Sequence, residues 1–513
     1  MHIAVFTTHP LFQRHFATEL ERIQQHLNAG DRVTVLVCDA TLLACETNNY
    51  HEPAQCALCI KSRDRGLALL DRNNTGTLSV RPLHAMTTEA HQRLARELRS
   101  VRTRFASIAD MEAYTIEGFD LGKAALSSII SYVMDSNLDL ERHSDLVRRY
   151  VLSGLISYRA VQAFLDEASE RGERVDQFYI FNGRMTNVRG VLRACESRNV
   201  AFIVHEAAAG DSTYSLFENR MPHDIAYMTC CIQEQWHNAL LHRTEAERHA
   251  LAEEWFVRRA RGIKVNGYSF VEQQQQGLLP SDWNPQKRNV VIFNSADFEF
   301  IMVSEEYKHH IYHSQLDGIE RIVRDLQPHT EYHLYLRIHP NLANVPNELA
   351  PLLALKAPNL TTLAPTDAVS TYAMMQQADK VVTFGSTVGI EAPFWGKPSI
   401  LGGRAVYQQL GSTYNPDSHE ELMGLLLTSG LPPNDKLGSL MYGYFYNTFG
   451  IPFQYYKGEN FFAGTFNGKA PFANRWLFRL HTLYKRVTPE SVQQAVNKRY
   501  AERTLQHLTH GYN

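Results

Sequence analysis

The sequence predicts an α/β fold with two consecutive Rossmann-like domains that face each other across a cleft. Short apolar runs alternate with segments whose apolar residues recur at helical spacing, which is the pattern of strand, loop and helix. This pattern occurs twice, on either side of a polar, Gln-rich stretch with Gly and Pro at 271–288. Folds of this type bind ligands at the carboxyl ends of their parallel strands, so we expect the function there.

Composition and charge exclude several classes of protein. The 513 residues suffice for two large domains, and 44% apolar with 20% charged residues is ordinary globular usage. A formal net charge of -3 provides no global basic field, so we expect no nucleic acid as a partner. The sequence shows neither a signal-peptide pattern nor an apolar run of about 18 residues, which predicts a cytoplasmic protein.

The first domain is predicted over 1–270. It opens with a strand, a helix and a second strand, because Phe16, Leu20 and Ile23 recur at helical spacing between two apolar runs. Its strands are expected at 2–7, 32–37, 177–181, 201–205 and 224–228. Residues 63–173 are rich in Arg, Glu, Leu and Ala with helical periodicity, which predicts a mostly helical insertion.

The second domain is predicted over 289–436, after a linker at 271–288. Its strands are expected at 289–293, 332–336, 360–363, 380–384 and 399–401, with helices between them. The last segment, 437–513, is predicted to begin with an aromatic loop and to end in helices. Two doubly wound domains in this order suit an enzyme with two substrates.

One polar motif follows a strand of the second domain. Residues 334–340 read L-Y-L-R-I-H-P, so Arg337 and His339 fall at or just beyond the carboxyl end of a buried strand. A guanidinium and an imidazole at this edge suit a diphosphate or a departing phosphate. The alternative is that Arg337 pairs with a carboxylate of its own domain and His339 only packs on Pro340.

A second motif, V-V-T-F-G-S-T-V-G at 381–389, predicts a strand, a loop of small residues and a helix that begins near Val388. The hydroxyls of Ser386 and Thr387 and the N–H groups at the helix start would form a phosphate cradle. Glu391, in the first turn, can accept hydrogen bonds from ribose hydroxyls. The alternative is that a hydroxyl caps the helix and Glu391 interacts with its dipole.

Four motifs of the second domain together resemble a known family. They read N-S-A-D-F-E-F at 294–300, L-R-I-H-P-N at 336–341, S-T-Y at 370–372 and F-G-S-T-V-G-I-E-A-P-F-W-G-K-P at 384–398. In order and spacing they look like the GT-B glycosyltransferases of bacterial capsule and lipopolysaccharide biosynthesis. They are similar in style to capsular Kdo-transferases and sialyltransferases, which use an H-P motif and a downstream S-S or S-T motif.

The resemblance implies a GT-B fold, a nucleotide-sugar donor bound in the second domain and transfer to a glycan or lipid-linked glycan. His339 would be a donor phosphate ligand, and Asn294 and Ser295 would line the cleft. The whole expected donor set is Asn294, Ser295, Arg337, His339, Ser386, Thr387, Gly389 and Glu391. No metal cofactor is expected for catalysis, because side chains and helix dipoles normally stabilise the leaving diphosphate in this architecture.

The first domain of such enzymes usually holds the acceptor. The expected acceptor-binding residues, which follow or end predicted strands, are His9, Asn182, Arg184 and His205. An inverting transferase needs a general base, and we expect Glu206 in this role, with Asp211 second. Glu206 could instead cap the next helix or pair with Arg220, and a retaining mechanism would need no such base.

Three other functions fit the same pattern of residues. They are a transferase of another activated unit, a nucleotide-sugar epimerase on the same two domains, and a non-catalytic module that binds a glycan or a nucleotide.

Four of the seven cysteines lie close together in the sequence, at Cys38, Cys45, Cys56 and Cys59. Two thiolates at C-x-x-C spacing with two upstream could close a structural zinc site. The alternatives are reduced buried thiols, as in a reducing cytoplasm, and a redox disulfide.

A basic and aromatic segment, R-W-L-F-R-L-H-T-L-Y-K-R at 475–486, lies near the end of the sequence. Its interleaved cations and apolar residues suit peripheral contact with an anionic membrane, here the inner face of the cytoplasmic membrane. The alternative is a helix that packs back on the first domain, with its cations reaching into water.

Overall fold

The computed structural model describes residues 1–71, 73, 75–263, 271–300, 302–460, 463–471 and 475–510. The chain divides into two compact units. Unit 1 comprises 1–133, 138–222 and 450–513, and unit 2 comprises 134–137 and 223–449. The boundary therefore differs from the predicted linker at 271–288, and the chain returns to unit 1 after 449. The last residues of the predicted first domain, 264–270, lie outside the described residues.

The strands belong to three sheets, and their bounds are as follows. They are β1 (His2–Thr7), β2 (Arg32–Val37), β3 (Thr77–Pro82), β4 (Gln177–Phe181), β5 (Phe202–Ala207), β6 (Thr213–Glu218), β7 (Arg288–Phe293), β8 (Tyr332–Arg337), β9 (Leu360–Leu363), β10 (Lys380–Thr383), β11 (Ser399–Leu401), β12 (Ile451–Pro452), β13 (Tyr456–Asn460) and β14 (Ala463–Phe466).

The α-helices of the described residues have these bounds. They are α1 (Gln13–Asn28), α2 (Pro53–Leu67), α3 (Thr88–Ser100), α4 (Ile108–Glu112), α5 (Leu121–Val133), α6 (Ser144–Glu170), α7 (Thr186–Ser197), α8 (Ile225–Asn238), α9 (Glu245–Ala260), α10 (Gln315–Leu326), α11 (Pro346–Ala354), α12 (Thr371–Gln377), α13 (Val388–Phe394), α14 (His419–Leu427), α15 (Leu437–Thr448), α16 (Arg475–Val487) and α17 (Glu490–His510).

Unit 1 contains a seven-stranded sheet in the order β12-β6-β5-β4-β1-β2-β3. The five strands from β5 to β3 in this order pair in parallel, and β6 and β12 are antiparallel additions at one edge. Every residue of β1 is buried, as expected of a central strand in a parallel sheet that is covered on both faces. The carboxyl ends of β1, β4 and β5 therefore lie side by side at one edge of the sheet.

Two predictions for the first domain are wrong in detail. Residues 77–82, expected within the helical insertion, form the edge strand β3. None of its residues is buried, so its sequence contains no apolar run to recognise. Residues 224–228, expected as a strand, lie at the start of α8. Asp224 caps this helix by accepting the Tyr227 N–H at 2.8 Å. A short apolar run fits a strand or a helix equally well, and here the cap favours the helix.

Unit 2 contains a five-stranded sheet in the order β11-β10-β7-β8-β9, with every neighbouring pair parallel. Its strands match the predicted ones to within one residue at each end, and the predicted α/β class is confirmed. In the register, Phe293 of β7 pairs with both Arg337 of β8 and Thr383 of β10. Three neighbouring strands therefore end at the same level, and the residues after them are brought together.

The aromatic stretch after 436 begins with a helix, not with the predicted loop. This helix, α15, packs in unit 2 against α9, which the sequence had placed in the first domain. Trp255 meets Tyr442 edge-on with ring centroids 5.4 Å apart, and Phe256 stacks on Phe394 of α13 at 4.1 Å. Contacts between buried aromatic rings thus draw residues 223–260 into unit 2.

No helix in the described part of the chain is long and apolar enough to cross a membrane.

The close packing of α15 on α9 predicts opposite effects for two glycine substitutions. A Cβ atom at Gly443 would come within 2.5 Å of the Ala252 carbonyl oxygen, whereas one at Gly424 of α14 would meet nothing within 4 Å. We expect Gly443→Ala to lower the free energy of unfolding by about 1–3 kcal/mol through overpacking. Gly424→Ala should raise it by about 0.5–1 kcal/mol, because alanine is the better helix former. Urea unfolding of both variants measures this, and equal effects would contradict the packing described.

Candidate functional site

An open pocket of about 180 Å³ lies in unit 2 at the carboxyl ends of β7, β8 and β10. All but one of the expected donor residues line it, namely Asn294, Ser295, Arg337, His339, Ser386, Thr387 and Glu391. Gly389 is not part of the lining. It packs beneath α13, where a Cβ atom would collide with the Tyr407 hydroxyl. The structure therefore brings the two sequence motifs together around one cavity.

His339 follows β8 and is fixed by two hydrogen bonds. Its N–H donates to Asn294 Oδ1 at 2.8 Å, and its Nδ1 accepts the Asn341 N–H at 3.2 Å. Burial, with a smaller contribution from the charge of Arg337, lowers the pKa of His339 to about 4. The ring is therefore neutral at pH 7, and because Nδ1 accepts, its proton resides on Nε2. A neutral N–H donor of this kind suits a phosphate or carboxylate oxygen.

Arg337 is buried, and its guanidinium is held by the following loop. Its Nη atoms donate to the carbonyl oxygens of Ala364 and Asp367. The alternative that it pairs with a carboxylate is thus wrong in detail, because backbone oxygens are its partners. Burial lowers the pKa of Arg337. Its Nε, and the Ser295 hydroxyl on the same wall, are buried without a hydrogen-bond partner among the described residues.

Unpartnered buried atoms in a pocket wall are informative, because buried polar atoms in native proteins almost always find a partner. Ser295 Oγ and Arg337 Nε both belong to the lining of the unit 2 pocket. A polar ligand in the pocket is one source of the missing hydrogen bonds.

The loop between β10 and α13 uses its hydroxyls partly within the protein. Ser386 Oγ accepts the Val388 N–H at 3.4 Å, a weak form of the expected cap. Thr387 Oγ1 accepts from Arg259 Nη2 at 3.1 Å. Because α13 has only seven residues, we assign no ligand to its N-terminus alone.

Arg259 is the pocket residue that sequence reasoning missed. It extends from α9 and donates through Nε and Nη2 to Glu391 Oε1, at 3.1 and 3.0 Å. Tyr372 donates its hydroxyl to Glu391 Oε2 at 2.5 Å. Burial opposes the charge of Arg259, but Glu391, together with Tyr372 and Tyr442, outweighs burial and raises the Arg259 pKa. The R-R-A-R run at 258–261, which follows W-F-V at 255–257, is the sequence signal that could have drawn attention to it.

This arrangement changes the interpretation of Glu391. The carboxylate is almost fully buried, and both of its oxygens are already engaged, by Arg259 and by Tyr372. Its observed role is to hold the guanidinium at the pocket wall. The expected ribose contact stays a prediction, since a carboxylate has room for further acceptor bonds.

In unit 1 the expected base lies at the carboxyl edge of the sheet. Glu206, near the end of β5, is about a quarter exposed. It accepts from Asn182 Nδ2 and from the Ala207 N–H, both at 2.9 Å, and His15 Nε2 lies 3.5 Å from Oε1. His15 of α1 was not predicted; burial lowers its pKa to about 4, so it is neutral at pH 7.

The other predicted residues of unit 1 are placed differently. His9 is buried, with Nε2 2.5 Å from Glu46 Oε2 and Nδ1 2.8 Å from the Thr8 hydroxyl. His205 is also buried, beside Phe181 and Glu19. These two histidines therefore support the strand ends from within, and contact between them and an acceptor would need a rearrangement.

Arg184 and Asp211 lie in loops that follow strands. Arg184 donates to the Ser131 hydroxyl at 2.9 Å, and its N–H donates to Asn182 Oδ1 at 3.1 Å. Asp211 lies in the loop between β5 and β6, which Arg14 holds through the carbonyl oxygens of Ala208, Gly210 and Thr213. Both residues are thus part of the edge that carries Glu206.

The clustered cysteines Cys38, Cys45, Cys56 and Cys59 line a small cavity of unit 1 as free thiols. Burial raises the pKa of Cys45 to about 12, and it raises the pKa of the other three. Within the described ranges, no group of three or more His, Cys, Asp or Glu residues is placed to hold a metal ion. The described residues therefore do not form a zinc ligand set. Structural zinc stays a prediction, which elemental analysis of the purified protein would test.

The lowered pKa of His339 predicts a pH dependence of stability. A histidine whose pKa is about 4 when folded and about 6.5 when unfolded binds its proton mainly in the unfolded state between these values, so stability falls as pH drops through this window. From pH 7 to pH 5 its contribution is about 2 kcal/mol. We expect His339→Gln to lose less stability than the wild type over this interval. Denaturant unfolding at both pH values measures this, with His329→Gln, a more exposed histidine of unit 2, as the control.

Comparisons with known proteins agree with the motifs. Residues 271–423 match the family described as "Capsule polysaccharide biosynthesis protein". The comparison with curated proteins gives no match.

Three solved structures are among those that the chain matches. The Thermosulfurimonas dismutans KpsC beta Kdo 2,4 transferase is 12% identical, with 60% of this chain and 87% of that chain covered and a TM-score of 0.34. The beta Kdo 2,7 transferase of the same KpsC is 16% identical, with 63% and 89% covered and a TM-score of 0.32. The UDP-GlcNAc 2-epimerase from Neisseria meningitidis is 11% identical, with 86% and 97% covered and a TM-score of 0.27.

The family match falls within unit 2 and includes the ends of β7, β8 and β10 with the residues that follow them. It covers the H-P motif at His339 and the S-T motif at Ser386, on which the predicted family rests. Residues 271–423 are thus similar to the capsule polysaccharide biosynthesis family.

Proposed function

We propose that the chain is a glycosyltransferase that moves a sugar from a nucleotide-sugar donor to a capsule or lipopolysaccharide glycan. The observation that carries this proposal is the unit 2 pocket. There, a neutral imidazole, a guanidinium and two hydroxyl-bearing residues surround one cavity beyond three parallel strand ends. Nucleotide phosphates are recognised by such donors, at this edge of such sheets.

The donor phosphate would lie between His339 and Arg259. His339 offers Nε2–H, and Arg259 offers a permanent positive charge that Glu391 keeps in place. The unpartnered Ser295 hydroxyl adds a donor on the same wall. Ile263, Val271 and Val388 give the lining an apolar part that suits a nucleobase.

Departure of the nucleotide is the step that these groups would assist. As the bond between the sugar and the phosphate breaks, negative charge grows on the leaving phosphate oxygen. A fixed guanidinium and a fixed imidazole N–H stabilise that charge without reorganising, which is how electrostatic catalysis acts. We therefore propose that the reaction needs no metal cofactor.

Glu206 of unit 1 would act as the general base that takes the proton from the acceptor hydroxyl. Asn182 and the Ala207 N–H hold its carboxylate, and the neutral His15 lies beside it. The acceptor would be a glycan or a lipid-linked glycan. We propose that the enzyme works in the cytoplasm, at the inner face of the cytoplasmic membrane, where a lipid-linked acceptor would be available.

Nucleotide binding tests the donor side. A screen of CMP, UDP, GDP, dTDP and CDP compounds by thermal shift should find one class that stabilises the protein, by about 2.7 kcal/mol at 100 times its dissociation constant. His339→Ala should weaken this binding by about 10–100-fold, the worth of one hydrogen bond to a charged group. Arg258→Met is the matched control for the pocket cation, because Arg258 is not part of the lining.

Arg259 needs a paired substitution, because its removal alone would leave the Glu391 carboxylate buried without a counter-charge. We expect the double variant Arg259→Met with Glu391→Met to fold and to bind the nucleotide at least as weakly as His339→Ala. Wild-type affinity in both the double variant and His339→Ala would place the nucleotide elsewhere.

Replacement of Glu206 tests the base. Glu206→Gln keeps the shape of the side chain and removes its basicity, so kcat should fall by about 10²–10⁴ while nucleotide affinity stays unchanged. Glu218→Gln, an exposed glutamate on β6, is the control. A near wild-type rate would transfer the role to Asp211, which Asp211→Asn tests, or indicate a retaining mechanism. Epimerisation of the donor sugar in the absence of an acceptor would instead indicate an epimerase. The absence of any turnover would indicate a binding module.

A further inference from the structure

One face of helix α16 is apolar and exposed to solvent. Trp476, Leu480, Leu483 and Val487 are 63%, 43%, 54% and 66% exposed. They are spaced by four, three and four residues, so in an α-helix they form a single stripe about 16 Å long. We refer to these four residues as the α16 stripe. Surface apolar residues usually occur singly, so an aligned set indicates contact with another apolar phase.

The opposite side of α16 is the side that packs on unit 1. Lys485 Nζ lies 3.0 Å from Glu52 Oε2, and His481 Nε2 forms a hydrogen bond with Glu52 Oε1. Glu52 is the N-cap residue of α2, so these contacts attach α16 to the rest of the unit. At 3.6 residues per turn, Lys485 and His481 lie about 150° around the helix from the stripe. The stripe is therefore not the surface by which α16 packs on the described part of unit 1.

The charge of α16 matches the stripe to one kind of surface. Its sequence contains Arg475, Arg479, Lys485 and Arg486 and no Asp or Glu, although the whole chain has a formal net charge of -3. Arg479 and Arg486 are exposed on the flank of the stripe. An interfacial helix has this composition, with cations at headgroup level beside an apolar face, and Trp prefers the same depth of a bilayer.

We propose that α16 lies in the interface of an anionic lipid bilayer, with the α16 stripe among the acyl chains and Arg479 and Arg486 at the phosphates. A second copy of the chain fits this face less well. In a symmetric dimer the same patch meets itself, so the cations of one helix would face those of the other. Anionic headgroups provide the opposite charge along the whole helix. This surface is independent of the pocket in unit 2.

Vesicle flotation of the full chain tests the proposal. At low ionic strength the protein should bind vesicles in which about a third of the lipid is phosphatidylglycerol, and bind phosphatidylcholine vesicles at least about tenfold more weakly. Arg479→Gln with Arg486→Gln should remove most of this preference, at about fivefold per cation. Leu483→Asp with Val487→Asp should abolish binding to both kinds of vesicle.

Two controls lie outside the stripe. Leu241→Asp changes a leucine of unit 2 that is 76% exposed, and Arg174→Gln changes an arginine whose side chain is 85% exposed. Both should bind vesicles like the wild type. Thermal melting checks that the α16 variants fold, which their exposed positions favour.

Several results would overturn the proposal. They are absence of wild-type binding to anionic vesicles at low ionic strength, and an equal loss of binding in the two controls. A dimer that Leu483→Asp dissociates, in a protein that binds no vesicles, would assign the stripe to a second copy. Hydrolysis of a soluble nucleotide-sugar is the separate readout for the unit 2 pocket. It should be unchanged in the α16 variants, so failure of the membrane proposal is distinguishable from failure of the proposed function.

Discussion

The parallel register of β10, β7 and β8 is the constraint on which the unit 2 pocket depends. Because Phe293 pairs with residues of both neighbouring strands, the chain leaves all three strands at one level. Side chains in the middle of these strands are committed to the core, so the residues at and just beyond the strand ends are the ones available to a ligand. The hydrogen bond from the His339 N–H to Asn294 Oδ1 then holds the segment after β8 against the segment after β7.

The second constraint is the charge pair of Arg259 and Glu391. A buried carboxylate without a counter-charge is costly, so each residue keeps the other in position. The pair also joins parts of the chain that are 132 residues apart. Through it α9, which lies outside the family match at 271–423, contributes Arg259 to the wall of the pocket. A cation held in this way can face a ligand without moving, which is the condition for electrostatic stabilisation of a leaving group.

The difference between what the sequence predicted and what it did not follows from burial. Strands β7 to β11 are short apolar runs, and the two motifs between them contain residues whose chemistry is uncommon at strand ends, so both were predictable. Strand β3 is exposed at an edge, and its only signal is its pairing with β2. Arg259 is an ordinary helical arginine in the sequence, and its role arises from a tertiary contact that no local pattern encodes. The same holds for His15, which reaches Glu206 only because α1 packs beside β5.

His9 and His339 show why a histidine after a strand does not by itself identify a ligand. Both follow a central parallel strand, and both were predicted to bind a substrate. In His9 both ring nitrogens are used, by Glu46 and Thr8, so the ring organises the interior. In His339 the Nδ1 atom is used by Asn341, and the ring lines an open pocket beside unpartnered buried donors. The surroundings of each ring, and not the motif alone, thus separate a histidine that supports the interior from one that lines a pocket wall.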